Sequence, residues 1–324
     1  MVSKDLGRPW EIIFTESGEY MGNAARLWVA GLLLSSVGAA SAGTVTTVRD
    51  TSAADLANAL TTGGAGGITI TGETLSGHSN IDVASSGVFS TSGTNNYGLK
   101  GSGIVISNGD AVGDGTSGPV IPSFSYEYGA FVTAAQTSLL NQVASAPQGW
   151  HDATEFDVTF TAGPNTTHVF FNTVFASAEY PQYVGSFIDG FGLFLNGTNI
   201  AFAGGSPVNI DNPGMVNTDF PLLGGVDGNA FQTTALQGVL IENGSAVITY
   251  GGDVTPGSTN TLTFIVADAN DDQLDTAAFI QGLGNAPPPL GTPEPSTWVM
   301  LGLGFVGMAR MGWRRQTRQQ QLTA

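Results

Sequence analysis

Apolar and polar residues alternate with a period of two along residues 155–161, Glu-Phe-Asp-Val-Thr-Phe-Thr. Successive side chains of a strand point to opposite faces, so this pattern predicts a strand with one buried face. A looser form of the same alternation runs through 246–250 and 261–266. Residues 168–176 and 191–195 are short runs rich in aromatic and apolar side chains, which predict strands buried on both faces. Turn residues separate these segments: Gly163-Pro164-Asn165, Asn196-Gly197, Asn212-Pro213-Gly214 and Asn243-Gly244. An Asn–Gly pair tolerates positive φ at both positions, so 196–197 and 243–244 predict tight hairpins.

Helical periodicity is scarce. Ser52 is placed to cap a helix over 53–60, with Asp55 near its positive end. Residues 133–143 predict a second, with Leu139, Leu140 and Val143 at helical spacing. The Gly/Ser/Thr/Asn-rich stretch 85–96 predicts an exposed loop. Many short strands with turns between them predict an all-β fold, a β-sandwich or jelly-roll-like domain over 43–283 with one or two short helices. The 46 glycines have no period, which argues against collagen and solenoid folds. After Leu283 the composition changes to Gly-Asn-Ala-Pro-Pro-Pro, and 284–295 predicts a stiff stalk.

The two ends read as addresses. Arg26, the apolar stretch 27–40 and Ala40-Ser41-Ala42 form a charged region, a short apolar core and an A-x-A cleavage site. Residues 1–42 are thus expected to be a leader cut by signal peptidase after Ala42. The acidic Asp5, Glu11, Glu16 and Glu19 do not suit a leader, so the expected start is Met21. At the other end Pro293, Glu294 and Pro295 precede an apolar run, 297–309, and a basic cluster of Arg310, Arg314, Arg315 and Arg318. As a helix, 296–309 spans roughly 21 Å, short of a bilayer core of about 30 Å. It makes a marginal span whose arginines stay cytoplasmic. Gly302, Gly304 and Gly307 match GxGxxG, but no acidic residue follows and no βαβ unit surrounds them, so they fit a membrane helix instead.

This three-part tail, 292–324, resembles the PEP-CTERM sorting signal of Gram-negative bacteria. The resemblance implies an exosortase-type membrane protease as partner, transient anchoring in the inner membrane, and delivery to the cell surface or extracellular matrix.

Charge sharpens the picture. The chain has 26 acidic and 9 basic residues, and within 43–295 only Arg49 and Lys100 are basic, against 22 acids. A body with a net charge near −20 excludes nucleic-acid binding, which needs Lys and Arg on phosphates. It favours divalent cations, or serves solubility alone. The absence of cysteine rules out a disulfide framework, thiolate metal sites and thiol chemistry.

The body has a likeness of its own. Residues 175–186, Phe-Ala-Ser-Ala-Glu-Tyr-Pro-Gln-Tyr-Val-Gly-Ser, with 187–197, Phe-Ile-Asp-Gly-Phe-Gly-Leu-Phe-Leu-Asn-Gly, resemble the central signature of the choice-of-anchor L domain. Residues 101–109, 262–268 and 275–280 fit less specifically, and the likeness spans roughly 46–282. It implies an extracellular β module joined to varied surface anchors, and no particular activity. The chain departs from that pattern at Ala178 and Ile188, where the family has an acid and an asparagine.

The acids of these segments are the candidate ligands for a metal: Asp152, Glu179, Asp189, Asp268, Asp271, Asp272 and Asp275, with Asn270. Asp268, Asn270 and Asp272 alternate like the start of an EF-hand loop. Gln273 then stands where Gly belongs, and Phe279 where Glu belongs. They suit a Ca²⁺ loop in a sandwich or simple Asx turns. Tyr180 and Tyr183, with Phe187, suit carbohydrate stacking or burial in the core. Glu179 and Asp189 could be named as a glycosidase pair, though any acidic chain offers such pairs. His78, His151 and His168 are the only histidines, and no HExxH or GxSxG accompanies them. His151 is expected in a turn. The expectation is therefore a non-enzymatic, exported surface or matrix protein among exopolysaccharide. The alternatives are a calcium-dependent carbohydrate-binding or adhesive module and a polysaccharide-active hydrolase.

Overall fold

A computed structural model of the chain describes residues 44–79, 84–92, 98–111, 129, 132–217, 236 and 238–290. Its contacts divide the chain into two units, 1–40 and 41–324. The expected leader, its cleavage site and the sorting tail with Pro293, Glu294, Pro295 and the four arginines lie outside the described residues.

The elements run β1 (Thr44–Arg49), α1 (Ala53–Thr61), β2 (Ile68–Ser76), β3 (Ser86–Ser92), β4 (Ser102–Ser107), α2 (Ala134–Leu140), β5 (Trp150–Ala162) and β6 (His168–Ser177). They continue with β7 (Gly190–Leu195), β8 (Thr198–Asn199), β9 (Phe202–Ala203), β10 (Ser206–Pro207), β11 (Met215–Asn217), β12 (Gly238–Leu240), β13 (Ile248–Asp253), β14 (Thr259–Ala269) and β15 (Thr276–Gly284). The chain is mostly strand, in an all-β sandwich with two short helices.

The larger sheet has the order β1-β3-β4-β15-β6-β12-β11, with β13 also paired to β6. The smaller has the order β2-β5-β14-β7-β8, and β9 pairs with β10 separately. All the pairings are antiparallel. The main core contains Phe156, Val158 and Phe160 of β5, Leu262, Phe264 and Val266 of β14, and Phe171 and Phe175 of β6. Phe264 stacks on Phe156 at 6.2 Å and meets Phe171 edge-on at 5.6 Å.

The alternation in 155–161 behaves as read: Phe156, Val158 and Phe160 are buried and the residues between them only partly so. The continuous runs in β6 and β7 also behave as read, because a second layer covers their other side. Val174 and Ala176 join a cluster with Phe89, Val105 and Phe279, while Phe194 packs with Leu140, Val143 and Trp150. Both Asn–Gly turns form with positive φ throughout: 51° and 80° at 196–197, 52° and 80° at 243–244.

Ser52 and Thr133 cap α1 and α2, and Gln136 closes a capping box on Thr133. The second helix is shorter than the predicted span: α-helical geometry ends at Leu140 and Val143 follows in a turn.

Two expectations need correction. Residues 86–92 of the expected loop form strand β3, because β1 and β4 supply its hydrogen-bonding partners on both sides and Phe89 anchors it in an apolar cluster. His151 lies in β5 and not in a turn, paired in register with Asp268. In the first residues after β15, the Asn285 N–H donates to the Gly66 carbonyl (2.9 Å) and Pro288 is buried.

Candidate functional site

Strand ends from both sheets meet at one end of the sandwich. β4 ends and β15 begins side by side, since Ala277 pairs with Ser107, and β6 ends there too, with Ser177 opposite Thr276. In the other sheet β5 begins opposite the end of β14, Trp150 against Ala269, and β7 begins there as well, Gly190 against Ala267. This topology brings together acids far apart in sequence. Asp152 (1 % exposed), Glu179 (1 %), Asp189 (0 %), Asp268 (2 %) and Asp275 (2 %) are all buried.

A β-bulge delivers one of them. Thr154 pairs with Val266 and His151 with Asp268, so Asp152 and Ala153 together face Ala267. Asp152 takes φ 45° there, in the left-handed region found in the G1 type of bulge. Asp189 is the best-supported carboxyl. Its Oδ2 accepts from Asn108 Nδ2 (3.0 Å) and Thr276 Oγ1 (2.8 Å), and its Oδ1 accepts the Ala269 N–H (3.1 Å). Asn108 also donates to Asp268, while its own carbonyl accepts the Thr276 N–H (2.6 Å). One amide thus ties the two sheets together. Gly109 permits the close approach of Asp275: a Cβ there would lie 1.9 Å from its carboxyl.

Burial sets the electrostatics. Removing a carboxylate from water without a cation beside it favours the protonated form. Desolvation, then the charges of Asp189 and Asp271, push Glu179 up to about 11. Desolvation also pushes Asp189 up to about 7, held back by its donors Thr276, Asp268, Ala269 and Asn108. Asp268 rises well above the usual carboxylate range through desolvation and then the charges of Asp189, Asp275 and Asp152. The charge of Asp189 thus acts on both Glu179 and Asp268. Of the two Lys and Arg residues of the body, Arg49 forms an ion pair with Asp110 and Lys100 is exposed.

Six of the named acids therefore interact here: Asp152, Glu179, Asp189, Asp268, Asp271 and Asp275. Asn270 and Asp272 follow the end of β14. β14 ends at Ala269, and Asn270 turns into φ 79°. Its amide staples two loops, donating to the Ser186 carbonyl (3.0 Å) and accepting the Gln148 N–H (3.0 Å). No described contact ties Asp272 to the cluster. The EF-hand-like alternation thus breaks after its first residue. Among the described residues, no three acidic or histidine side chains stand ready-spaced around an ion.

Asn108, Thr276 and Ser177 are site residues that the sequence alone does not mark. The only signal for Asn108 was its place beside Gly109, at the end of an apolar run within a family-like segment.

Next to the cluster, Tyr180 donates its hydroxyl to the Met215 carbonyl (3.0 Å) and packs on the core, so its ring is committed to the fold. Tyr183 is half-buried and meets Phe187 edge-on at 5.7 Å. Glu179 and Asp189 are both buried, whereas the carboxyl pair of a glycoside hydrolase flanks the bond of a bound sugar.

Residues 44–284 match the family model of the choice-of-anchor L domain, and residues 292–316 match that of the PEP-CTERM protein-sorting motif. No curated protein and no solved structure matches the chain. The motif marks an exported, surface-sorted protein that is processed by an exosortase, itself a membrane protein.

Proposed function

The chain belongs to the choice-of-anchor L domain family, and on that premise we propose that it is a non-enzymatic structural module of the cell envelope or the exopolysaccharide matrix. The observation that carries this reading is the order of parts. The family match of the β module ends at residue 284 and the sorting motif begins at residue 292. Among the described residues, the most perturbed acids are buried within the module. The acidic body keeps the product soluble outside the cell and disfavours anionic polymers unless a cation bridges them.

The reading is tested by replacing Pro293, Glu294 and Pro295 with alanine in a host that makes exosortase. The altered chain should stay in the membrane fraction at full length, while the native chain reaches the surface fraction shortened. Equal release of both chains would overturn the proposal. The surface product should also release no new reducing ends from the host's matrix, and their appearance would restore the hydrolase reading.

A further inference from the structure

We propose that Asn243 is a site of spontaneous deamidation in the folded protein, with water as the co-reactant, and that the fold shields the chain's two other Asn–Gly bonds from the same reaction.

Asparagine precedes glycine at 108–109, 196–197 and 243–244. Glycine has no Cβ, so its backbone nitrogen can approach the side-chain amide of the residue before it. In the first step the Gly244 nitrogen loses its proton and bonds to Cγ of Asn243, while the Cγ–Nδ2 bond breaks and ammonia leaves. Water then opens the cyclic imide at either carbonyl, giving aspartate or isoaspartate. One water is consumed and one ammonia released, and nothing is oxidised or reduced.

The reaction needs an amide free to swing toward the glycine nitrogen and a backbone that can open. Asn108 has neither: it is fully buried, its Nδ2 donates to Asp189 and Asp268, and its Oδ1 accepts the Thr276 N–H. Asn196 is exposed, but its amide is pinned to β14. Its Nδ2 donates to Asn260 Oδ1 (3.0 Å) and its Oδ1 accepts the Thr261 N–H (2.9 Å). Its own N–H donates to the Thr261 carbonyl (2.9 Å), and β7 and β8 continue the turn directly, Leu195 against Thr198. Asn243 is exposed, and among the described residues nothing bonds to its amide. Its turn is closed by one isolated pair, in which Glu242 and Ser245 exchange two backbone bonds of 2.9 Å outside β12 and β13. A turn held by one isolated pair opens locally at lower cost than one continued by strands and tied to a third.

The product changes what the turn does. Glu242 Oε1 accepts the Gly204 N–H (2.8 Å), so the turn holds the β9–β10 hairpin. A new carboxylate at 243 stands beside that of Glu242, and like charges in neighbouring positions repel. Isoaspartate also adds a methylene to the backbone of a two-residue turn, which puts Glu242 and Ser245 out of register. Reaction at Asn243 therefore loosens one surface contact, while the tie between the sheets at Asn108 is spared.

The test is ageing of the full chain in mild detergent at pH 8 and 37 °C, folded and in guanidinium, followed by peptide mass spectrometry with aspartate and isoaspartate separated by chromatography. In the folded chain Asn243 should react about tenfold faster than Asn196 or more, the factor that two hydrogen bonds of ordinary net strength supply. Asn108 should stay intact. In guanidinium all three should react at similar rates, because only the fold distinguishes them. Asn260→Ala frees the Asn196 amide and should raise the rate at Asn196 several-fold while leaving Asn243 as it was. The proposal is overturned if Asn243 reacts no faster than Asn196 in the folded native chain. It is equally overturned if the order of rates is the same in guanidinium, which would assign it to sequence neighbours instead of the fold.

Discussion

Asn108→Asp is the sharpest probe of how the two sheets are joined. The substitution is nearly isosteric, so no cavity forms. It keeps an acceptor for the Thr276 N–H and removes the amide donor shared by Asp189 and Asp268. Two buried carboxyls then each lose a donor, and a further acid joins a cluster of acids. Leaving a buried polar group unsatisfied costs about 1–3 kcal/mol, more for charged groups. Two such losses, softened by protonation of the new acid, give about 2–4 kcal/mol. For a domain of this size, 1 kcal/mol moves Tm by about 2–4 °C, so Tm should fall by about 4–16 °C. The assay is thermal and guanidinium unfolding of the full chain with chelator present, at pH 5 and pH 7.5. The loss should be smaller at pH 5, where the new acid holds its proton more readily. A change below about 0.5 kcal/mol at both pH values would refute the reasoning. The amide would then not be the tie between the sheets.

Other predictions follow from the same geometry. Glu179, Asp189 and Asp268 have folded pKa values raised above those of the unfolded chain, which lie near 4. Their contribution is therefore complete below about pH 4 and drains away as the pH rises toward the folded values, near 7 for Asp189 and near 11 for Glu179. Each extra proton held by the native state gives a loss of about 1.4 kcal/mol per pH unit. Without divalent ions, stability should fall from pH 5 to pH 7 by about 3 kcal/mol or more, even in 0.5 M salt, where surface repulsion is screened. A maximum at pH 7 would contradict this. Gly109→Ala should lower stability by about 1–3 kcal/mol by forcing Asp275 aside, read as a Tm shift. Phe264→Ala removes the ring between Phe156 and Phe171 and should cost about 3–5 kcal/mol in a guanidinium titration.

Much of the fold is legible in the sequence because the central strands are long and strongly patterned. The alternation of β5 and the apolar runs of β6 and β7 announce which faces are buried. The two Asn–Gly pairs announce their turns. β3 is illegible because its identity is tertiary: Gly87, Ser90 and Ser92 have low strand propensity, and pairing with β1 and β4 overrides it. The acids of the site stand out in the sequence, but their grouping does not. Asn108 meets Asp189 across 81 residues and Asp268 across 160, and only the sandwich topology brings those strand ends together. The Asp268–Asn270–Asp272 alternation misleads because β14 ends between the first and second of them.

The central claim is that an acidic β module is carried outside and freed from its tail. Mass spectrometry of the product on the surface of an exosortase-bearing host tests it directly. The account predicts a chain that begins at Gly43 and lacks the arginine-rich end beyond Pro295. A full-length chain found in the cytosol, with Met1 and Ala324 both in place, would contradict it.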